Sequence, residues 1–129
     1  MLELKFNIAA NPPRPTRKIT LVKQQNPDLP EDEVYFGGPI VAAGENLQMG
    51  EGDTIKLELY SEGSPIAVFD KENESLGGIV SIPTAISFAI ESNGSSHPDG
   101  DWWGQPVLLT ATIGGKEVRR WLRFHNPEA

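Results

Sequence analysis

Val107-Leu-Leu-Thr-Ala-Thr-Ile-Gly114-Gly115-Lys-Glu-Val-Arg-Arg-Trp-Leu-Arg-Phe124 sets the fold class. Two runs rich in β-branched and apolar residues flank a Gly-Gly pair. A two-residue linker of this kind suits the positive φ angles of a type I′ turn. Pairing outward from the turn places Ala111 opposite Val118, Val107 opposite Leu122 and Leu108 opposite Trp121. Because side chains alternate across a strand, one face of this hairpin is then mostly apolar. Arg120 intrudes on that face and must either snorkel to water or find a carboxylate.

The same period of two runs outward from the hairpin through the chain, with Gly and Pro punctuation every eight to twelve residues. Leu2, Leu4, Phe6 and Ile8 alternate with polar residues, and the prolines of Asn11–Pro15 then end the strand. Ile19–Val22 reads as a second strand. Val34–Phe36 with Ile40–Ala42 reads as a third, broken at Gly37-Gly38-Pro39. Thr54–Tyr60 places Ile55, Leu57 and Leu59 on one face and Lys56 and Glu58 on the other. Ile66–Phe69 is a continuous apolar run, the pattern of a central buried strand. Ile79–Ile82 and the alternating Ile86, Phe88 and Ile90 complete the set. No window supports an amphipathic helix. The expectation is an all-β, two-sheet antiparallel β-sandwich of about eight to nine strands, one domain over residues 1–129.

The length is enough to bury roughly two-thirds of the unfolded surface without staples. With no Cys there are no disulfides and no thiolate metal site. No apolar run approaches the ~18 residues that cross a bilayer. Met1–Lys5 alternates and lacks the apolar block of a signal peptide, which reads as cytoplasmic by default or as a signal already removed.

Charge is distributed unevenly. Residues 28–101 carry fifteen acidic and two basic side chains, a balance of −13. Residues 1–27 sum to +4 and residues 102–129 to +2, which gives the net −7. This acidity argues against nucleic acid, whose phosphates need a basic stripe. The cluster Lys116, Arg119, Arg120 and Arg123 is the exception and reads as a solvated strand face. Carboxylates crowded into turns such as Asp28–Glu33 and Asp70–Glu74 must be solvated, paired with cations or neutralised by metal.

The segment Ile66-Ala-Val-Phe-Asp70-Lys-Glu72-Asn-Glu74-Ser-Leu76-Gly resembles the C2 family of β-sandwiches. There a strand ending in Asp leads into an acidic loop closed by an apolar residue and Gly. The resemblance covers about residues 17–83 and implies calcium at one end of the sandwich. Its ligands would be Asp28 and Asp32 from an earlier loop with Asp70, Glu72 and Glu74 from this one. Calcium takes six to eight oxygens, which clustered carboxylates can supply. This second loop is shorter than the family's, carries Lys71 among the acids and has Glu where Asp is usual. The family's lysine-rich, phospholipid-binding strand has no counterpart, since Thr54–Tyr60 offers Lys56 alone, so membrane docking is not implied. On their own terms these acids read equally as solubilising turn residues.

A second constellation is Asn93–Gln105, a long polar loop around Trp102 and Trp103. An exposed indole beside Asp99 and Asp101 would suit a carbohydrate, with a flat apolar platform and acceptors for hydroxyls. The competing reading has both tryptophans capping the open end of the sandwich. Catalysis has little support. His97 and His125 lie far apart in sequence, the serines lack a nucleophile elbow, and no phosphate-cradling loop opens a helix. The expectation is therefore a non-enzymatic binding module that uses calcium, with a protein or carbohydrate as its ligand. The alternatives are a carbohydrate-binding module centred on Trp102 and Trp103, or a structural assembly subunit with no small ligand.

Overall fold

A computed structural model describes residues 16–91 and 102–128. These residues form nine strands: β1 (Lys18–Gln24), β2 (Glu33–Val34), β3 (Ile40–Glu45), β4 (Thr54–Ser61), β5 (Ser64–Asp70), β6 (Leu76–Ile82), β7 (Ala85–Ile90), β8 (Pro106–Ile113) and β9 (Lys116–Phe124). They build two sheets, one of order β1-β3-β7-β6 and one of order β2-β9-β8-β4-β5. The chain is an all-β sandwich.

The β8–β9 hairpin has the register its sequence dictates. Ala111 faces Val118, Val107 faces Leu122 and Leu108 faces Trp121. Gly114 and Gly115 both take positive φ, +60° and +79°, which a side chain would resist. β4 and β8 pair along six residues, so these three strands form the centre of the larger sheet.

Alternation fills the space between the sheets. Leu57 and Leu59 of β4, Val107 and Leu109 of β8, and Leu122 and Phe124 of β9 point inward. They meet Val22, Ile40, Ala42, Ile86, Phe88 and Ile90 from the other sheet. Burying a side chain of this size contributes about 1.5–3 kcal/mol, and this layer is the main source of cohesion. One close approach fixes the smaller sheet. β1 bulges between Ile19 and Leu21, and a Cβ on Gly44 would overlap the Lys18 carbonyl oxygen.

Two expectations need correction. Ile66–Phe69 is not central: β5 is an edge strand, and Ile66 and Val68 are 45% and 40% exposed. An apolar run shows that a strand is apolar, and Pro65, which cannot donate to a ladder, is the residue that marks the edge. Val34–Phe36 and Ile40–Ala42 are not one broken strand. Glu33–Val34 pairs in parallel with β9, while Ile40–Glu45 belongs to the other sheet. The turn at Gly37-Gly38-Pro39 thus carries the chain between layers, and the larger sheet has one parallel pair. The strand expected at Leu2–Ile8 lies outside the described residues.

Candidate functional site

Three of the four acids of the first loop find partners within the chain. Arg120, the intruder on the inner face of β9, reaches Asp32 in a bidentate pair: Nε donates to Oδ1 at 2.9 Å and Nη2 to Oδ2 at 2.8 Å. Oδ1 also accepts the Val22 N–H at 3.0 Å. The Arg120 hydrogen bond, aided by that N–H and opposed by burial, holds the Asp32 carboxyl below its ordinary range. Asp28 pairs with Lys23 at 2.9 Å, and Lys23 also donates to the Leu29 carbonyl. Glu33 meets His125 Nδ1 at 3.0 Å. Each of these acids has found a cation or an imidazole.

The second loop is a closed turn. Ser75, itself buried, accepts the Asp70 N–H through its hydroxyl at 3.0 Å. The Ser75 N–H returns to the Asp70 carbonyl at 3.1 Å, and Asp70 Oδ1 accepts the Asn73 N–H at 2.7 Å. Glu74 sits at φ +57° and is exposed.

The five acids implicated by the resemblance are not brought together. Asp32 precedes β2 and Asp70 ends β5, at opposite edges of the larger sheet. Four strand spacings separate those edges, roughly 19 Å, so one ion cannot be shared between the loops. Among the described residues no group of three or more His, Asp or Glu side chains is placed to hold a metal.

Asp70 and Glu72 instead line a cleft of about 600 Å³ at the open edge of the sandwich, where β5 and β6 end the two sheets. Lys56 and Lys71 line it with them, so both signs of charge converge there. Met49, Ile55 and Ile79 supply apolar lining, and Gln48, Thr54 and Ser81 supply polar groups. The segment that forms one end is held at both of its own ends. Gln48 Nε2 donates to the Ser81 carbonyl at 3.1 Å, and the Met49 N–H to Ser81 Oγ at 2.8 Å. Asp53, also in the lining, accepts the Gly50 N–H at 2.7 Å and the Gly114 N–H at 3.0 Å. The Gly50 bond first, and then the Gly114 bond, lower its pKa.

Trp102 and Trp103 are half-buried and pack against the core. Trp102 stands edge-on to Phe69 at 5.9 Å and to Phe124 at 6.0 Å, and Phe36 joins the same cluster. This is the capping arrangement. Asp99 and Asp101 lie outside the described residues. The exposed indole is Trp121, 57% exposed, 5.4 Å from Tyr60 on the outer face of the larger sheet.

Sequence reasoning found Asp70 and Glu72 but missed the remaining cleft residues, which come from β4 and the segment before it, from β6 and from the turn at Lys71. The signal it did hold concerned Trp121: with Val118 and Leu122 facing inward, the residue between Arg120 and Leu122 faces out. Compared with known proteins, the chain matches no family model and no curated sequence.

Proposed function

We propose that the protein is a non-enzymatic binding module that takes an extended peptide segment into the cleft between β5 and β6. The observation that carries this reading is the cleft itself, about 600 Å³ with both signs of charge over an apolar lining. That volume lies in the range of ordinary ligand pockets, which combine apolar walls with a few fixed polar groups.

Peptide is favoured by the cleft's position. β6 contributes Ile79 and Ser81, and it is the last strand of its sheet. The backbone groups on its outer edge have no strand partner among the described residues, although Gln48 takes the Ser81 carbonyl. An added strand would satisfy such groups, while Lys56 and Lys71, interleaved with Asp70 and Glu72, would read side chains of both signs. The calcium reading finds less here, because two ammonium groups share the cleft with Asp70 and Glu72. The carbohydrate reading finds less at Trp102 and Trp103, because both rings are engaged with the core.

Thermal unfolding with a panel of short peptides of varied charge pattern tests the reading, with calcium chloride against EDTA as a separate arm. At a hundredfold excess over Kd, a bound peptide stabilises by about 2.7 kcal/mol, a rise of several degrees. The expected result is a rise with peptides of alternating charge, abolished by Lys71→Glu. A rise with calcium alone would return Asp70 and Glu72 to metal binding. A flat response to every peptide would remove the cleft as a peptide site.

A further inference from the structure

We infer that the resident occupant of the cleft is this chain's own segment 2–8, held there intramolecularly by residues 9–15. The inference rests on the peptide reading above and names the peptide. The chain enters the described fold beside the cleft. The Thr16 carbonyl accepts a bond from Asn46 Nδ2, and two positions further on Gln48 bonds to Ser81 of the lining. A Cβ on Gly114 would lie 3.6 Å from Arg17 Nη2, and the Gly114 N–H donates to Asp53, which also lines the cleft. β1, which begins at Lys18, and β6, which forms one wall, are three strand spacings apart, roughly 14 Å. Residues 9–15 include three prolines, and at ~3.1 Å per residue such a stretch spans about 22 Å. The tether is long enough to seat the segment.

Sequence pattern selects the occupant. Leu2, Leu4, Phe6 and Ile8 alternate with Glu3, Lys5 and Asn7. Laid extended along the open edge of β6, such a segment sets its apolar side chains on one face and Glu3 and Lys5 on the other. The cleft meets both: Met49, Ile55 and Ile79 are apolar, and Lys56 stands opposite Asp70 in the strand register. Glu3 and Lys5 carry opposite signs two positions apart, so each has a counter-charge within the lining. Residues 92–101 also lie outside the described residues, but they hold no large apolar side chain and no Lys or Arg. Tethering gives segment 2–8 an effective concentration on the order of 1 mM. A segment whose own Kd is about a tenth of that raises the apparent Kd of an external peptide about tenfold. External peptides still bind at that higher apparent Kd, so the test of the peptide reading is unaffected.

Titration of the ¹⁵N-labelled full chain with a synthetic peptide of residues 1–10 is the test. It is run on wild type, on Leu4→Asp, on Phe6→Asp and, as a control in the tether, on Ala10→Asp. Before peptide is added, Leu4→Asp and Phe6→Asp should each shift the amides of Met49, Ile55, Ile79 and Ser81 from their wild-type positions, and Ala10→Asp should not. With peptide, those amides should report a Kd about tenfold lower in the two segment variants than in wild type, and within about twofold of wild type in Ala10→Asp. Cleft amides that keep their wild-type positions in both segment variants overturn the inference. An equal Kd at the cleft in wild type and in both variants overturns it too, while leaving the peptide reading standing. No cleft shift in any chain, with this peptide or with peptides of alternating charge, overturns both. Wild-type cleft shifts that change with protein concentration mean a segment donated by a second copy, and overturn the intramolecular assignment.

Discussion

Asp32 has a single acid's worth of charge and three claims on it. Its carboxylate takes both nitrogens of the Arg120 fork and the Val22 N–H, while its backbone sits at φ +63°. Asp32→Asn is the informative change, because Asn tolerates that backbone and fills the same space without the charge. It leaves a half-buried guanidinium with a weaker acceptor, and we expect a loss of about 1–2 kcal/mol at neutral pH, between the values for exposed and buried pairs. The pH dependence has a definite sign. A carboxyl whose pKa is lowered on folding stabilises fully above its unfolded value, near 3.9, and loses that contribution as pH falls through the lower folded value. Urea unfolding from pH 7 down to pH 3 should therefore show the wild type losing its advantage over Asp32→Asn only below about pH 4. Equal stability of the two at pH 7 would mean that the pair contributes nothing. Arg120 also marks how far single residues were legible. Its position on the inner face, and hence its need for a carboxylate, follows from alternation alone. Which carboxylate it finds, 88 positions away along the chain, does not.

At the scale of elements, two positions control whether strands hold their places. Gly44→Ala would drive a methyl group into the Lys18 carbonyl, and β1 must shift to relieve it. A cost of about 1–3 kcal/mol is expected, by the measure of other overpacked sites, with faster amide exchange along β1 as the local sign. Unchanged exchange in β1 would show that the bulge absorbs the methyl group. Ser75→Ala removes the hydroxyl that accepts the Asp70 N–H and closes the acidic turn. It should cost about 1–2 kcal/mol and raise amide exchange across Asp70–Glu74, measured by the same method. Protection equal to wild type would mean that the turn is held by its backbone bonds alone. Elements were legible where the signal was local. A Gly-Gly pair between two alternating runs gives turn type, register and facing all at once. Whether an apolar strand lies in the middle of a sheet or at its edge depends on neighbours that are remote in sequence. Hence Ile66–Phe69 was expected inside and Ser64–Asp70 lies at the edge. The parallel pairing of β2 with β9 was out of reach for the same reason, since it joins residues about ninety positions apart.

Across the whole molecule, the larger sheet separates two kinds of acid. Near β2, carboxylates are consumed by Lys23, Arg120 and His125. Near β5, Asp70 and Glu72 line an open cleft beside two lysines. The sequence shows one long acidic stretch, and only the strand order divides it. That division leaves a loop of paired acids at one edge and a cleft of mixed charge at the other. Of the cleft's lining, Asp70 and Glu72 were legible, because a strand ending in an acidic turn is a local pattern. The cleft's other walls come from the 48–56 segment and from β6, which only folding brings to it. The most direct measurement is chemical-shift mapping of the ¹⁵N-labelled chain titrated with peptides of alternating charge. The account predicts shifts concentrated at the amides of Met49, Ile55, Lys71, Ile79 and Ser81, absent in Lys71→Glu. Shifts centred instead on Asp28–Asp32 or on Trp102 and Trp103, with the cleft amides unmoved, would contradict it.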